Sequence, residues 1–190
     1  MSGWNHNIHY HDVVLRSVPR ECGWALDAGC GTGLLSHKLA ARCSRAVAMD
    51  LDAASLNRAA GRRVQADAMQ PPFLPGSFDF IAAVATLHHL PLKPALRMFR
   101  DLLAPGGVLA AIGLYREQTL PDYVWAAAAV PASWALRAVR GDQDVDAPTR
   151  APSETLREIS QACEEILPGS AVKRRLFFRY SLVWRKPSSA

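Results

Sequence analysis

The sequence predicts a doubly wound α/β fold built on a mostly parallel sheet. Between Trp24 and Gly113, short apolar runs alternate with amphipathic segments. The runs are continuously apolar, which is typical of parallel strands that helices cover on both faces. The chain has 190 residues, of which 49% are hydrophobic and 21% are charged. This size and composition indicate one globular domain with a sizeable core.

Five strands and three helices are expected in the first part of the chain. The strands are Trp24–Ala28, Ala46–Met49, Arg63–Ala66, Phe78–Ala85 and Val108–Leu114, and the helices are Leu34–Arg42, Ala53–Ala60 and Pro94–Leu103. In the last helix, Leu96, Phe99 and Leu103 lie at i, i+3 and i+7 and form one buried stripe. The Ala-Pro-Gly-Gly sequence at 104–107 then breaks this helix.

The two ends of the chain depart from this alternation. Trp4 to Val18 is predicted to form one N-terminal helix, and Tyr115 to Arg150 an insertion with a helix through Tyr123 to Val139. Residues 141–152 have the composition of an exposed loop, after which Ser153 is expected to cap a last helix. The apolar runs 171–176 and 180–184 are too close for a crossover helix, so they are predicted to pair antiparallel at the sheet edge.

The basic excess of the chain is local. The net charge is +5, from 22 basic and 17 acidic residues. Six of the basic residues lie between positions 172 and 190, a stretch without any acid: Lys173, Arg174, Arg175, Arg179, Arg185 and Lys186. The rest of the chain is nearly neutral, which argues against a general nucleic-acid-binding protein. A solvated strand face is the simplest interpretation of this stretch, and contact with an anionic substrate or RNA is the alternative.

The cysteines and the hydropathy pattern bear on the cellular compartment. Cys22, Cys30, Cys43 and Cys163 show no CxxC spacing, so they are expected to be small buried thiols in a reduced, cytoplasmic chain. Neither a basic-then-apolar leader nor an apolar run of about 18 residues is visible, so no secretion signal and no membrane span is expected.

The strongest chemical signal is the segment Asp27 to Gly33, which reads Asp-Ala-Gly-Cys-Gly-Thr-Gly between the first strand and the first helix. Open α/β sheets bind ligands at the carboxyl ends of their strands, where glycines let a ligand approach the backbone. A diphosphate-binding loop has its third glycine one position later, and the Asp27 carboxylate would repel a diphosphate. The acid favours a sulfonium or ammonium ligand over NAD. The alternative is that these glycines bind no ligand and only form a tight turn.

Two further acids follow predicted strands. Asp50 ends the second strand, where a carboxylate can accept hydrogen bonds from both hydroxyls of a ribose. The alternative role for Asp50, capping the next helix, is better suited to Asp52. Asp67 and Ala68 follow the third strand, where the Asp67 side chain could accept from an adenine amino group or simply form a surface turn.

These segments, together with residues 77–81 and 103–107, resemble the ordered motifs of class I S-adenosylmethionine-dependent methyltransferases. The resemblance covers Trp24 to Gly113 and the closing strand pair. It implies a Rossmann-like methyltransferase fold, with seven strands and strand seven antiparallel between strands five and six. It also implies S-adenosylmethionine as the cofactor. The residues that the resemblance and the motifs assign to the cofactor are Asp27, Gly29, Cys30, Gly31, Gly33, Asp50, Leu51, Asp67, Ala68, Ala85 and Tyr10.

By the same resemblance, the single domain 1–190 divides into four parts. Residues 1–23 form a helical lid, where Tyr10 either contacts the cofactor or packs in the core. Residues 24–114 form the cofactor-binding core, and residues 152–190 the last helix and the hairpin. Residues 115–151 form the acceptor pocket, in which Tyr115, Tyr123, Trp125 and Trp134 either line an aromatic wall or seat the insertion on the core.

The chemistry expected is in-line methyl transfer from S-adenosylmethionine to an oxygen, nitrogen or carbon atom of a small organic acceptor. Positioning supplies most of the rate, and a base is needed only where the acceptor must lose a proton. His88 and His89, just after the fourth strand, are the candidate bases, although such a pair can also cap or pack. No metal site is predicted. The alternatives are a non-catalytic cofactor-binding partner subunit and an RNA methyltransferase that uses the basic hairpin. The oligomeric state is not predicted.

Overall fold

The computed structural model describes residues 6–118 and 151–188, and its described strands form one seven-stranded sheet. The strands are β1 (Trp24–Ala28), β2 (Arg45–Asp50), β3 (Arg62–Gln65), β4 (Phe78–Val84), β5 (Leu103–Leu114), β6 (Ala171–Arg175) and β7 (Arg179–Arg185). Their order is β3-β2-β1-β4-β5-β7-β6. Strands β1 to β5 are parallel, and β7 lies antiparallel between β5 and β6. The predicted doubly wound sheet and its antiparallel closing strand are confirmed.

The helices cover both faces of this sheet. They are α1 (His6–His9), α2 (His11–Leu15), α3 (Leu34–Ala40), α4 (Ala53–Leu56), α5 (Leu92–Leu102) and α6 (Leu156–Ile166), with a short 3-10 helix at Leu87–His89. In β4, Ile81 and Ala83 belong to the core under α5 and α6, whereas Phe80 and Ala82 belong to the core under α2 and α3. Successive side chains of a strand point to opposite faces, so a continuous apolar run fills both cores.

The junction between α5 and β5 differs from the prediction. Strand β5 already begins at Leu103, and residues 104–107 lie within it rather than in a loop. Phe78 pairs with Leu103 but Phe80 pairs with Val108, so the extra residues bulge out of the ladder. A Cβ on Gly107 would approach the Ala104 carbonyl oxygen to 2.9 Å. The glycines therefore permit a bulge in the strand, where the sequence indicated only a helix break.

The cap of α6 also differs from the prediction, since Thr155 and not Ser153 occupies it. The Thr155 hydroxyl accepts a hydrogen bond from the Glu158 backbone N–H, and the Glu158 carboxylate accepts one from the Thr155 N–H at 2.7 Å. This reciprocal pair is a capping box, in which each side chain satisfies a backbone donor of the first turn.

The N-terminal segment is two short helices rather than one. Tyr10 separates α1 from α2 with φ −97° and ψ 0°. Its hydroxyl donates a hydrogen bond to the Leu176 carbonyl oxygen at 2.9 Å, and Arg179 Nη2 donates one to Asn7 Oδ1 at 2.7 Å. The segment is thereby fastened to the hairpin formed by β6 and β7. At the tip of that hairpin, Phe177 packs its ring 4.8 Å from the ring of His6.

Two of the four cysteines are not thiols. Cys22 and Cys43 form a disulfide, whereas Cys30 and Cys163 are free. The prediction of four reduced thiols is therefore wrong for the first pair. Cys22 lies two residues before Trp24 and Cys43 two residues before Arg45, and Trp24 and Arg45 are partners in the ladder between β1 and β2. The pairing follows from strand register, which local cysteine spacing does not reveal.

Part of the predicted insertion lies outside the described residues. This holds for the helix expected at Tyr123 to Val139 and for Tyr123, Trp125 and Trp134. Tyr115 is described and buried, with the Arg174 guanidinium 5.9 Å from its ring centroid. Within residues 6–118 and 151–188, no helix is both long and apolar enough to cross a membrane.

Candidate functional site

A cavity of about 610 Å³ opens at the carboxyl ends of β1, β2 and β4. Ten of the predicted site residues line it: Asp27, Gly29, Cys30, Gly31, Asp50, Leu51, Asp67, Ala68, Ala85 and His89. They come from four separate stretches of the sequence, which the parallel strands bring to one edge of the sheet. The placement agrees with the expected position of a ligand site in a doubly wound fold.

The glycine loop is held by the end of β2. The backbone N–H groups of Gly29 and Cys30 both donate to the Met49 carbonyl oxygen, at 2.8 and 3.0 Å. Gly29 has φ +69°, and a Cβ there would overlap the buried Thr86 side chain. Glycine is thus required at position 29 both for its backbone conformation and for the close approach of Thr86, in the turn after β4.

Asp27 lies at the end of β1 and is almost completely buried, with 2% of its surface exposed. Its Oδ2 accepts a hydrogen bond from the Ser36 hydroxyl at 2.6 Å. Burial, with a smaller contribution from the nearby Asp50 carboxylate, raises the pKa of Asp27 to about 6, against the opposing effect of the Ser36 hydrogen bonds. A carboxylate in such a position is stabilised by a cationic ligand, because the cation offsets the cost of its desolvation.

Replacement of Asp27 by asparagine is expected to stabilise the ligand-free protein at neutral pH. The folded pKa of Asp27 lies above its unfolded value of 3.8, so the folded state binds more protons between about pH 4 and pH 6, and stability falls as the pH rises through that window. A neutral amide removes this penalty. We expect Asp27→Asn to raise the free energy of unfolding at pH 7 by about 1–2 kcal/mol, as measured by urea denaturation. The gain should vanish at pH 3.5; an equal gain at both pH values would contradict the argument.

Asp50 joins the glycine loop to the end of β2. Its Oδ2 accepts from the Gly31 backbone N–H at 2.7 Å, and its Oδ1 accepts from the Asp52 N–H at 2.9 Å. Each carboxylate oxygen has a second lone pair for a ligand hydroxyl. Asp52, not Asp50, is the N-cap of α4 and accepts from the Ala54 and Ser55 N–H groups. The alternative role of Asp50 as a helix cap is therefore excluded.

The far side of the cavity combines one acid with exposed apolar surface. Asp67 is exposed, and its Oδ1 accepts from the Met69 N–H at 2.8 Å, which forms a turn. The Leu51 side chain is 67% exposed. A large exposed apolar side chain at the rim of a cavity is suited to packing against a flat ring. This wall thus offers one apolar surface and one carboxylate acceptor.

The two histidines of the pair, His88 and His89, lie in different environments. His88 is buried and His89 lines the cavity, with their ring centroids 4.0 Å apart. Just before them, Ala85 adopts φ +55°, which is unusual for a residue with a side chain, and its N–H donates to the Ile112 carbonyl oxygen at 2.7 Å. Strained backbone of this kind persists where surrounding contacts hold it, often at functional sites. The turn brings His89 to the lining of the cavity.

Three predicted site residues do not line the cavity: Gly33, Tyr10 and His88. Gly33 packs against α4, since a Cβ on it would come 2.5 Å from the Ala59 Cβ. Tyr10 is buried and bonds the N-terminal segment to the hairpin at the Leu176 carbonyl oxygen.

The sequence predicted Tyr10 as a contact of the N-terminal segment but did not indicate the residues of that segment that line the cavity. Those residues are Asn7, Ile8 and His11. The chain breaks at Tyr10, between α1 and α2, and no periodic pattern in the sequence predicts that break. Among the described residues, no group of three or more His, Cys, Asp or Glu side chains is placed to hold a metal ion.

Comparisons with known proteins identify the family. A family model described as "Methyltransferase domain" matches residues 26–111. A protein of Mycobacterium tuberculosis named "uncharacterized methyltransferase" is 33% identical over 193 residues, covering 97% of this chain and 98% of the relative. The trans-aconitate 2-methyltransferase of Deinococcus radiodurans is 34% identical over 127 residues, covering 56% of this chain and 48% of the relative. The structure of the N-methyltransferase NodS of Bradyrhizobium japonicum in complex with S-adenosylhomocysteine shares the fold, with a TM-score of 0.63 and 18% identity over 95% of this chain and 87% of that one. This chain belongs to the class I S-adenosylmethionine-dependent methyltransferases.

Proposed function

We propose that this methyltransferase transfers the methyl group of S-adenosylmethionine to an oxygen, nitrogen or carbon atom of a small organic acceptor. The observation that carries the proposal is the pairing of Asp27 and Asp50 on one cavity at the carboxyl edge of the sheet. Asp27 suits the positively charged end of the cofactor, and Asp50 suits the ribose hydroxyls.

The residues of the cavity fit this cofactor better than a dinucleotide. Among the described lining residues there are four aspartates, Asp27, Asp50, Asp52 and Asp67, and neither lysine nor arginine. A diphosphate would meet uncompensated negative charge here, whereas a sulfonium and an ammonium group would be attracted. The exposed Leu51 side chain and the Asp67 carboxylate would contact the adenine ring and its amino group.

When bound, S-adenosylmethionine supplies a methyl group already activated on a positively charged sulfur. The chain's own part is to hold the acceptor atom in line and to exclude water. Ala85 and the turn that follows it line the cavity together with His89. For an acceptor that must lose a proton, the His89 imidazole would accept it. His88 would support the turn from the core side.

The His89→Asn variant is expected to lose at least about 10-fold in kcat, because general-base catalysis is worth roughly 100-fold or more. Its affinity for S-adenosylhomocysteine should stay within about twofold of wild type, because the ring is not needed to hold the cofactor. Initial rates and isothermal titration calorimetry measure the two quantities. His88→Asn is the matched comparison, and its effect is expected on stability. Equal rates for wild type and His89→Asn would leave positioning as the sole source of catalysis.

Turnover by the purified protein tests the proposed activity itself. Incubation with S-adenosylmethionine labelled in the methyl group, across a panel of small carboxylic acids, amines and phenols, should give labelled product with at least one class. The trans-aconitate 2-methyltransferase and the N-methyltransferase NodS show that the similar proteins span different acceptors. Tight binding of the cofactor without turnover on any acceptor, alone or with a partner protein, would favour the non-catalytic alternative.

The basic hairpin gives little support to the RNA alternative. Four of its six basic side chains donate hydrogen bonds within the protein: Arg175 to Ser181, Arg179 to Asn7 and Phe177, Arg185 to Gly106, and Lys186 to Arg100 and Leu103. These bonds hold the sheet edge and the lid, so the charges are largely committed to the fold. Nothing in the described residues favours RNA over a small acceptor.

A further inference from the structure

The amino-acid end of S-adenosylmethionine carries a carboxylate as well as an ammonium group, and the cavity must accommodate both. Asp27 serves the ammonium group. The carboxylate meets four aspartates and, among the described lining residues, no lysine or arginine. A carboxylate buried without donors is costly, so the structure has to supply hydrogen bonds from elsewhere.

His11 is a polar side chain of the cavity that can supply such a hydrogen bond. It is the first residue of α2, it lines the cavity, and only 5% of its surface is exposed. Its Nδ1 lies 3.3 Å from the Lys38 ammonium nitrogen. Because an ammonium group can only donate, Nδ1 must accept, and this network assigns the ring hydrogen to Nε2. The ring therefore has a donor on its opposite side.

The protonation state supports this role. Burial, together with the adjacent Lys38 charge, lowers the pKa of His11 to about 4, in spite of the nearby Asp12. The imidazole is therefore neutral at pH 7, with one tautomer set by Lys38. A base role for His11 is disfavoured by the same low pKa.

The surroundings fix the position of the ring. Tyr10, immediately before it, is bonded to the Leu176 carbonyl oxygen, and Arg42 Nη1 donates to the Leu15 carbonyl oxygen at the end of α2. On the neighbouring helix α3, Ser36 holds Asp27 and Lys38 holds His11. The acid for the ammonium group and the donor for the carboxylate are thus tied to the same short helix.

We propose that His11 binds the carboxylate of the cofactor's amino-acid moiety through Nε2–H, with Lys38 behind the ring fixing its tautomer and adding positive charge. The inference rests on the proposed function, since it concerns the same cavity. It adds a recognition residue in the N-terminal segment, which is itself bonded to the hairpin through Asn7 and Tyr10.

Calorimetry with two ligands tests the inference on the full-length protein. One ligand is S-adenosylhomocysteine; the other is S-adenosyl-3-thiopropylamine, which keeps the adenosine, the sulfur and the amine but lacks the carboxylate. We expect His11→Phe to weaken binding of S-adenosylhomocysteine about 10-fold or more, because the variant loses one hydrogen bond to a charged group. Binding of the amine should stay within about twofold of wild type, because the amine has no carboxylate. His11→Gln, which keeps a donor, should recover part of the affinity. The exposed His37→Ala on α3 is the control and should bind both ligands like wild type.

The outcomes separate the two proposals. Wild-type protein that binds neither ligand would overturn the proposed function. If wild type binds both ligands, two results for His11→Phe would overturn the role of His11. One is full affinity for S-adenosylhomocysteine, and the other is an equal loss of affinity for both ligands. If His11→Phe does not fold, Lys38→Met provides the same comparison, with an expected loss of about 3-fold or more for S-adenosylhomocysteine alone; unchanged affinity would then count against the inference.

Discussion

Replacing Gly29 with alanine should remove detectable binding of S-adenosylhomocysteine, a loss of more than about 100-fold. Two separate costs add at this position. The backbone has φ +69°, and the new methyl group would overlap the Thr86 side chain, which is itself bonded to the Ala28 carbonyl oxygen at 2.9 Å. Relief of the overlap must move either the loop or the turn after β4, and both line the cavity. The left-handed conformation alone costs an alanine only about 1 kcal/mol, so most of the effect is steric.

Gly31→Ala is the matched control. Gly31 has φ +51°, but a Cβ there would meet no atom within 4 Å. It should bind the cofactor more tightly than Gly29→Ala does, since within the protein only the backbone cost of about 1 kcal/mol applies. Calorimetry on both variants, with circular dichroism to confirm folding, gives the comparison. Similar affinities for the two variants would mean that contact between the loop and Thr86 is unimportant.

Replacing Asp50 with alanine should weaken S-adenosylhomocysteine binding by about 2–4 kcal/mol, or roughly 30-fold to 1000-fold. The variant loses the two proposed bonds to the ribose, and it also loses the bond from the Gly31 N–H that shapes the loop. The second loss leaves a loop donor unpaired beside the ligand. The effect should therefore exceed that of removing ribose contacts alone.

Binding of adenine, which lacks the ribose, and of adenosine, which carries it, distinguishes a loss of ribose contacts from a general loss of affinity in the Asp50→Ala variant. The affinity of the variant for adenine should be close to that of wild type, whereas adenosine, which carries the ribose, should bind more weakly. Asp52→Ala serves as the neighbouring control, because it removes the cap of α4 but leaves the bond between Asp50 and Gly31. Its main expected effect is a stability loss of about 1 kcal/mol. An Asp50→Ala variant with wild-type affinity for S-adenosylhomocysteine would contradict the assigned role.

Much of the fold was predictable because continuous apolar runs and loop glycines encode it locally. The run at Phe78 to Ala85 must be buried on both faces, and Ile81 and Phe80 do fill opposite cores. The site followed from the fold, since Asp27 and Asp50 end parallel strands and so meet at one edge of the sheet.

The features that were not predictable depend on contacts between distant parts of the chain. The disulfide between Cys22 and Cys43 follows from the register of β1 and β2. At the break between α1 and α2, the Tyr10 hydroxyl is bonded to the carbonyl oxygen of Leu176, 166 residues away. Because this break was not predicted, the position of His11 in the cavity lining could not be inferred. No sequence pattern indicated that Lys38 would be its partner.

The N-terminal segment is bonded at Asn7 and Tyr10 to two residues of the hairpin, Arg179 and Leu176. These partners are 172 and 166 residues apart in the sequence, so their contact carries the entropic cost of closing a long loop. Native-state hydrogen exchange should therefore register opening of this segment at a lower free energy than opening of the central strands β1 and β4.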